Sequence, residues 1–121
     1  MILAFTEDGS VFVFTKQEDA CREFEGIDVK NGVVTFYDDA GTPLRPDFIE
    51  PNQQGRSFFI RWVVSGKYRL VRDPYTEQDP FWLALHESSH LEPNSEFEIL
   101  DDLKRHVAAK GAVVDPPDSS D

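Results

Sequence analysis

The sequence predicts an α+β domain: an antiparallel sheet of about five or six strands, built as hairpins and a meander, with one early helix and two C-terminal helices. Three observations carry this. Short runs of β-branched and aromatic residues recur up to Arg72, separated by Asp8-Gly9, Asn31-Gly32 and Ser65-Gly66 steps that suit tight turns. A helix-start pattern interrupts them at Thr15. After Asp73-Pro74 the apolar residues recur at helical spacing instead. At 121 residues and 40% hydrophobic, with 10 Phe, 3 Tyr and 2 Trp, the chain can fill one core. Residues 1–111 read as a single domain, and residues 112–121, with Pro116-Pro117 and three aspartates, as a flexible acidic tail.

Residues 2–5 and 11–15 are the first two strands, joined by a turn in which Gly9 accepts positive φ. Thr15-Lys16-Gln17-Glu18 has the form of a capping box and predicts a helix over 16–24. Ala20, Cys21 and Phe24 share one face of it, and Gly26 ends it. Residues 27–29, 33–37 and 44–49 continue the strand pattern, with turns at Asn31-Gly32 and Asp38-Asp39-Ala40-Gly41. Pro43, Pro46 and Pro51 make the last of these irregular or an edge, because proline removes a ladder donor. Asn52-Gln53-Gln54-Gly55 reads as a polar loop. The clearest hairpin pairs 57–64 with 67–72; Phe58, Ile60, Trp62 and Val64 share one face of its first strand, Phe59, Arg61 and Val63 the other. Asp79-Pro80 then opens a helix through Ser89, with Asp79 as N-cap. A longer helix runs over 96–110 with Phe97, Leu100, Leu103, Val107 and Ala108 as its stripe and Gly111 as its C-terminal cap. The helices are expected to cover the apolar face of the sheet.

Charge narrows the function. Acidic residues number 23 against 12 basic, a formal net charge of −11. Nucleic-acid affinity rests on Lys and Arg displacing counterions, so direct nucleic-acid binding is not expected. No apolar run approaches the roughly 20 residues that span a bilayer, and the short run from Met1 to Phe5 lacks the basic flank of a signal peptide. No membrane association is expected. Cys21 is the only cysteine, which excludes an intramolecular disulfide and fits a reducing, cytoplasmic setting. Flanked by Glu18, Asp19, Glu23 and Glu25, it reads as core filler rather than a nucleophile.

The charge is also uneven. Arg56, Arg61, Lys67, Arg69 and Arg72 fall in one acid-free stretch, leaving seven bases against 23 acids elsewhere. Two readings stand. These bases pair with acids of the same chain and guard a strand edge. Alternatively, with Phe59, Trp62 and Tyr68, they form a face of aromatic and arginine anchors, through which an adaptor would oligomerise or bind.

One catalytic motif is present: His86-Glu87-Ser88-Ser89-His90 matches H-E-x-x-H. On a helix this spacing sets both imidazoles on one face, where they can share a zinc ion while Glu87 deprotonates the bound water. The motif resembles the active-site helix of zincin metallopeptidases, which implies His86 and His90 as metal ligands and Glu87 as general base. Against it stand the missing third ligand and Leu91-Glu92-Pro93, which closes the helix just after His90. The alternative is that Trp82, His86 and His90 form the edge of an apolar stripe.

The N-terminal third carries a second resemblance. Asp8-Gly9-Ser10-Val11-Phe12-Val13-Phe14, Glu18-Asp19-Ala20 and Gly26-Ile27-Asp28-Val29-Lys30-Asn31-Gly32, followed by Phe36-Tyr37-Asp38 and Gly41, resemble small bacterial immunity proteins encoded beside polymorphic or contact-dependent-inhibition toxins. The resemblance implies a cytoplasmic, non-catalytic inhibitor without cofactor that occludes the active site or substrate cleft of one cognate toxin. An acidic surface suits such a partner if the toxin is basic. Charge and loop placement, rather than the resemblance, nominate the contacting carboxylates: Asp38, Asp39, Asp47 and Glu50, then Asp73, Glu77 and Asp79 before the late helix.

Overall fold

The computed structural model describes residues 1–30, 32–50, 53–57, 60–64 and 66–116. The elements follow the order β1 (Ile2–Thr6), β2 (Ser10–Phe14), α1 (Gln17–Glu23), α2 (Gly26–Lys30), β3 (Val34–Asp38), β4 (Pro43–Glu50), β5 (Gln53–Ser57), β6 (Ile60–Val64), β7 (Lys67–Arg72), α3 (Phe81–Glu87), β8 (His90–Leu91) and α4 (Leu100–Ala109). Six strands form one sheet in the order β7-β4-β3-β1-β2-β8. All its pairs are antiparallel except β2 with β8, which makes the sheet mixed. The fold is α+β, with an early helix and C-terminal helices as expected. Among the described residues no helix is long and apolar enough to cross a membrane.

β1 is apolar at every position from Ile2 to Phe5 because both faces of the sheet are covered, not one. Alternation sends Leu3 and Phe5 to a layer shared with Val11, Val13 and Tyr37, under Phe81 and Leu85 of α3 and Leu103 and Val107 of α4. Ile2 and Ala4 point the other way, to Val34, Phe36, Leu44, Tyr68 and Leu70, under Ala20 of α1 and Val29 of α2. The N-terminal helices thus cover one face and the C-terminal helices the other, a three-layer arrangement.

Several expectations are corrected. Segment 27–29 is not a strand but part of α2; five residues between two glycines are too few to show a period, and Val29 is buried from the helix. The capping box does not form: Lys16 is the N-cap without a side-chain bond, and Gln17 instead reaches Leu70. The hairpin of 57–64 with 67–72 does not form either. β6 pairs with β5 in a separate two-stranded ribbon, which takes up Gln53-Gln54-Gly55 from the expected loop, and β7 pairs with β4. Phe58 and Phe59 lie outside the described residues, as do the side chains of Arg56, Arg61 and Trp62. β4 is irregular as the prolines predict. Only Pro43 and Leu44 pair with β3; from Arg45 onward it pairs with β7 alone, with a register shift between Phe48 and Glu50.

The late helices are shorter than expected. Pro80, not Asp79, is the N-cap of α3, which ends at Glu87. α4 starts at Leu100 because Asn94 Oδ1 accepts from the Glu96 and Phe97 N–H groups, both at 2.8 Å, and holds that segment in a turn. Gly111 does close α4 in the left-handed region, at φ +91°. Beyond it, Ala112 N–H donates to Val107 O at 3.0 Å, and Ala112 and Val114 pack on the core. Residues 117–121 of the expected tail lie outside the described residues.

Candidate functional site

The H-E-x-x-H segment does not present its histidines from one helix. Ser88 caps α3, its N–H donating to Leu85 O and its hydroxyl to Ala84 O at 2.7 Å. The Gly9 carbonyl then accepts from Ser89 N–H at 2.9 Å and His90 N–H at 3.2 Å, and the chain leaves as β8 beside β2. His86 Nε2 lies 2.9 Å from Val114 O and 3.3 Å from Asp115 Oδ1, whereas His90 Nε2 lies 3.4 Å from Glu92. The two rings therefore serve different neighbours, and the helical geometry behind the zinc reading is not formed. Among the described residues no three His, Cys, Asp or Glu side chains gather as a metal-binding group.

The nominated carboxylates divide into two sets. The first is paired within the chain. Arg69 Nε meets Asp47 at 2.8 Å, Arg45 Nε meets Asp73 at 3.2 Å, Arg72 Nε lies 3.1 Å from Asp38, and Lys67 Nζ lies 3.9 Å from Glu50. Asp47–Arg69 and Glu50–Lys67 are direct cross-strand partners, so the acids of β4 face the bases of β7. Asp38 is 7% exposed and accepts from the Ala40 and Thr42 N–H groups at 3.0 and 2.9 Å, holding the turn after β3. Asp39 meets His106 Nε2 at 2.8 Å and ties that turn to α4. Burial raises the Asp39 pKa, but the His106 hydrogen bond and the nearby amino terminus outweigh it and hold the carboxyl below its ordinary value.

The second set, Glu77 and Asp79, forms no ion pair among the described residues, and Glu77 lies outside the groove lining that Asp79 joins. Asp79 and Glu87, joined by Glu7 of the first turn, line a groove of about 270 Å³ floored by Phe5, Val33 and Ala84. Its described lining contains no lysine, arginine or histidine, and the three carboxylates form no ion pair among the described residues. Sequence reading nominates Asp79 as a binding residue and Glu87 as a catalytic one; the fold brings them to one surface. Glu7 is missed, because only the docking of the first turn on the end of α3 brings it there.

The segment from Asp73 to Asp79 reaches this groove at Asp79 and is pinned at both ends. Asp73 N–H donates to Pro43 O at 3.0 Å, and its carboxylate accepts from Arg45 and from Tyr75 N–H at 3.1 Å. At the far end Gln78 Nε2 donates to Phe36 O at 2.9 Å, and the Tyr37 hydroxyl donates to Asp79 O. Tyr75 at the tip is 92% exposed. Its signal was legible, as the one aromatic in a turn sequence with no apolar neighbour to pack on.

A second cleft, of about 380 Å³, lies between α1 and the start of β7 and holds Cys21 and Tyr68. Burial, and Glu18 beside it, push the Cys21 thiol up and outweigh the nearby Tyr68 hydroxyl, so the thiol is not activated. Burial likewise raises Tyr68, whose hydroxyl donates to Phe24 O at 2.8 Å. Both side chains act as packing.

Compared with family models, curated proteins and solved structures, the chain matches none.

Proposed function

We propose that this chain is a non-catalytic binding protein of the immunity type, which neutralises a toxin domain by occluding its active site or substrate cleft through an acidic surface. The observation that carries the reading is the segregation of charge. The described bases of β4 and β7 are taken up by Asp38, Asp47, Glu50 and Asp73, whereas Glu7, Asp79 and Glu87 converge on one groove with no ion pair among the described residues. A concave surface with one sign of charge focuses its field outward and accelerates encounter with a cationic partner. A basic protein cleft fits that surface, as a toxin that handles nucleic acid would present. The resemblance of the N-terminal third supports the class of partner, and a cytoplasmic site of action belongs to the same proposal.

The test begins with the untagged wild-type chain immobilised and exposed to host extract at low salt, about 50 mM, where surface charges act at longest range. The retained protein is identified, expressed alone and expressed with the chain. The reading expects a basic protein that forms an equimolar complex and arrests growth unless the chain is present. A retained protein that is neutral or acidic, or whose toxicity persists beside the chain, contradicts it.

A further inference from the structure

We infer that the segment from Asp73 to Asp79 is the partner-docking loop, with Tyr75 as its aromatic anchor and a basic protein surface as its occupant. This rests on the binding-protein reading above and names the contact. A tyrosine ring left 92% exposed gains nothing from the fold, whereas the rest of its loop is tied down by the hydrogen bonds of Asp73, Gln78 and Tyr37. Pro74 and Pro80 bracket the tip and fix φ at both positions. The aromatic is thus held out on a stiff base, and little conformational freedom remains to be lost when a partner covers it.

Tyrosine suits that place. Its ring supplies a large contact area through two side-chain torsions, and its hydroxyl tolerates water until the interface forms. Arg45 is taken up by Asp73 at the base of the loop, and beyond that pair the charge of the loop is acidic. Glu77 and Asp79 follow within four residues, carry no ion pair among the described residues, and Asp79 continues into the groove with Glu7 and Glu87. An aromatic centre with a charged rim is the common anatomy of a hot spot. Charge complementarity selects the occupant: a lysine- or arginine-rich face with a recess for the ring. Such a partner places cationic side chains in the groove while the ring is buried.

The probe is the basic protein retained by the wild-type chain, repurified and titrated calorimetrically against full-length variants. Tyr75→Ala is expected to weaken its Kd about tenfold or more, with the thermal midpoint of the free chain unchanged. Tyr75→Phe keeps the ring and is expected to stay within about threefold of wild type, as is Arg22→Ala on α1 across the sheet. A loss of less than tenfold in Tyr75→Ala, with wild type still binding, overturns the docking loop and leaves the binding-protein reading standing. If the wild-type chain retains no basic protein, that reading fails and the loop assignment falls with it.

Discussion

The Gln17 side-chain amide meets the Leu70 backbone as a neighbouring strand would: Oε1 accepts from Leu70 N–H at 2.9 Å, and Nε2 donates to Leu70 O at 3.3 Å. β7 is an outer strand of the six-stranded sheet, where unpaired backbone groups invite pairing with another chain. One residue of α1 therefore closes the middle of an open edge. Gln17→Ala is expected to lower unfolding free energy by about 1–2 kcal/mol, since two hydrogen bonds are lost. Urea denaturation measures that loss, and light scattering should show concentration-dependent association. An unchanged midpoint would mean that water replaces the amide at no cost.

Gly9 sits at φ +85°, and a Cβ there would meet Ser89 Oγ at 3.1 Å and Glu87 O at 3.2 Å. Gly32 has a similar φ of +75° with nothing among the described residues within 4 Å. Both Gly→Ala changes carry the left-handed penalty of about 1–2 kcal/mol. Gly9→Ala should cost more, because it also pushes the first turn away from the end of α3. Equal losses in the two variants would show that the turn does not hold α3.

The Asp39 carboxyl lies below its ordinary value when folded. A carboxylate depressed in the native state adds stability above its unfolded pKa of about 3.9, and loses it as pH falls through the folded value. Acid should therefore weaken the tie between the turn after β3 and α4 below about pH 4. Thermal midpoints measured between pH 6 and pH 2 should fall less steeply for Asp39→Asn than for wild type. Parallel curves would remove His106 and the amino terminus as the source of the shift.

The pairs between β4 and β7 are exposed, with the Arg69 side chain at 63%. A double-mutant cycle with Asp47→Ala and Arg69→Ala is expected to give a coupling below about 1 kcal/mol that shrinks with salt. These pairs matter more for which strands pair than for how stable the sheet is.

That distinction explains what the sequence reveals and what it hides. The first hairpin, α1, α3 and α4 are legible because turn chemistry and helical spacing are local. The partner of β7 is not. Ser65-Gly66 marks a turn between 57–64 and 67–72, yet Lys67, Arg69 and Arg72 find Glu50, Asp47 and Asp38 instead, 17 to 34 residues away. The end of α3 is hidden for the same reason, since the acceptor that draws Ser89 and His90 off the helix is Gly9 O, from the first turn. Of the nominated carboxylates, Glu77 and Asp79 form no ion pair among the described residues, and those near a base in space pair with it. Exposed aromatic Tyr75 was readable in principle; the convergence of Glu7 with Glu87 was not.

If acids without a partner in the chain recruit a basic protein, reversing their charge must slow the encounter. Association of the equimolar complex should be followed by stopped flow across salt concentrations, for wild type and for Glu77→Lys with Asp79→Lys. Wild-type association is expected to slow steeply with salt, and the reversed variant to be slower by about tenfold or more at low salt with a flatter dependence. Equal rates and equal salt dependence in both proteins would contradict it.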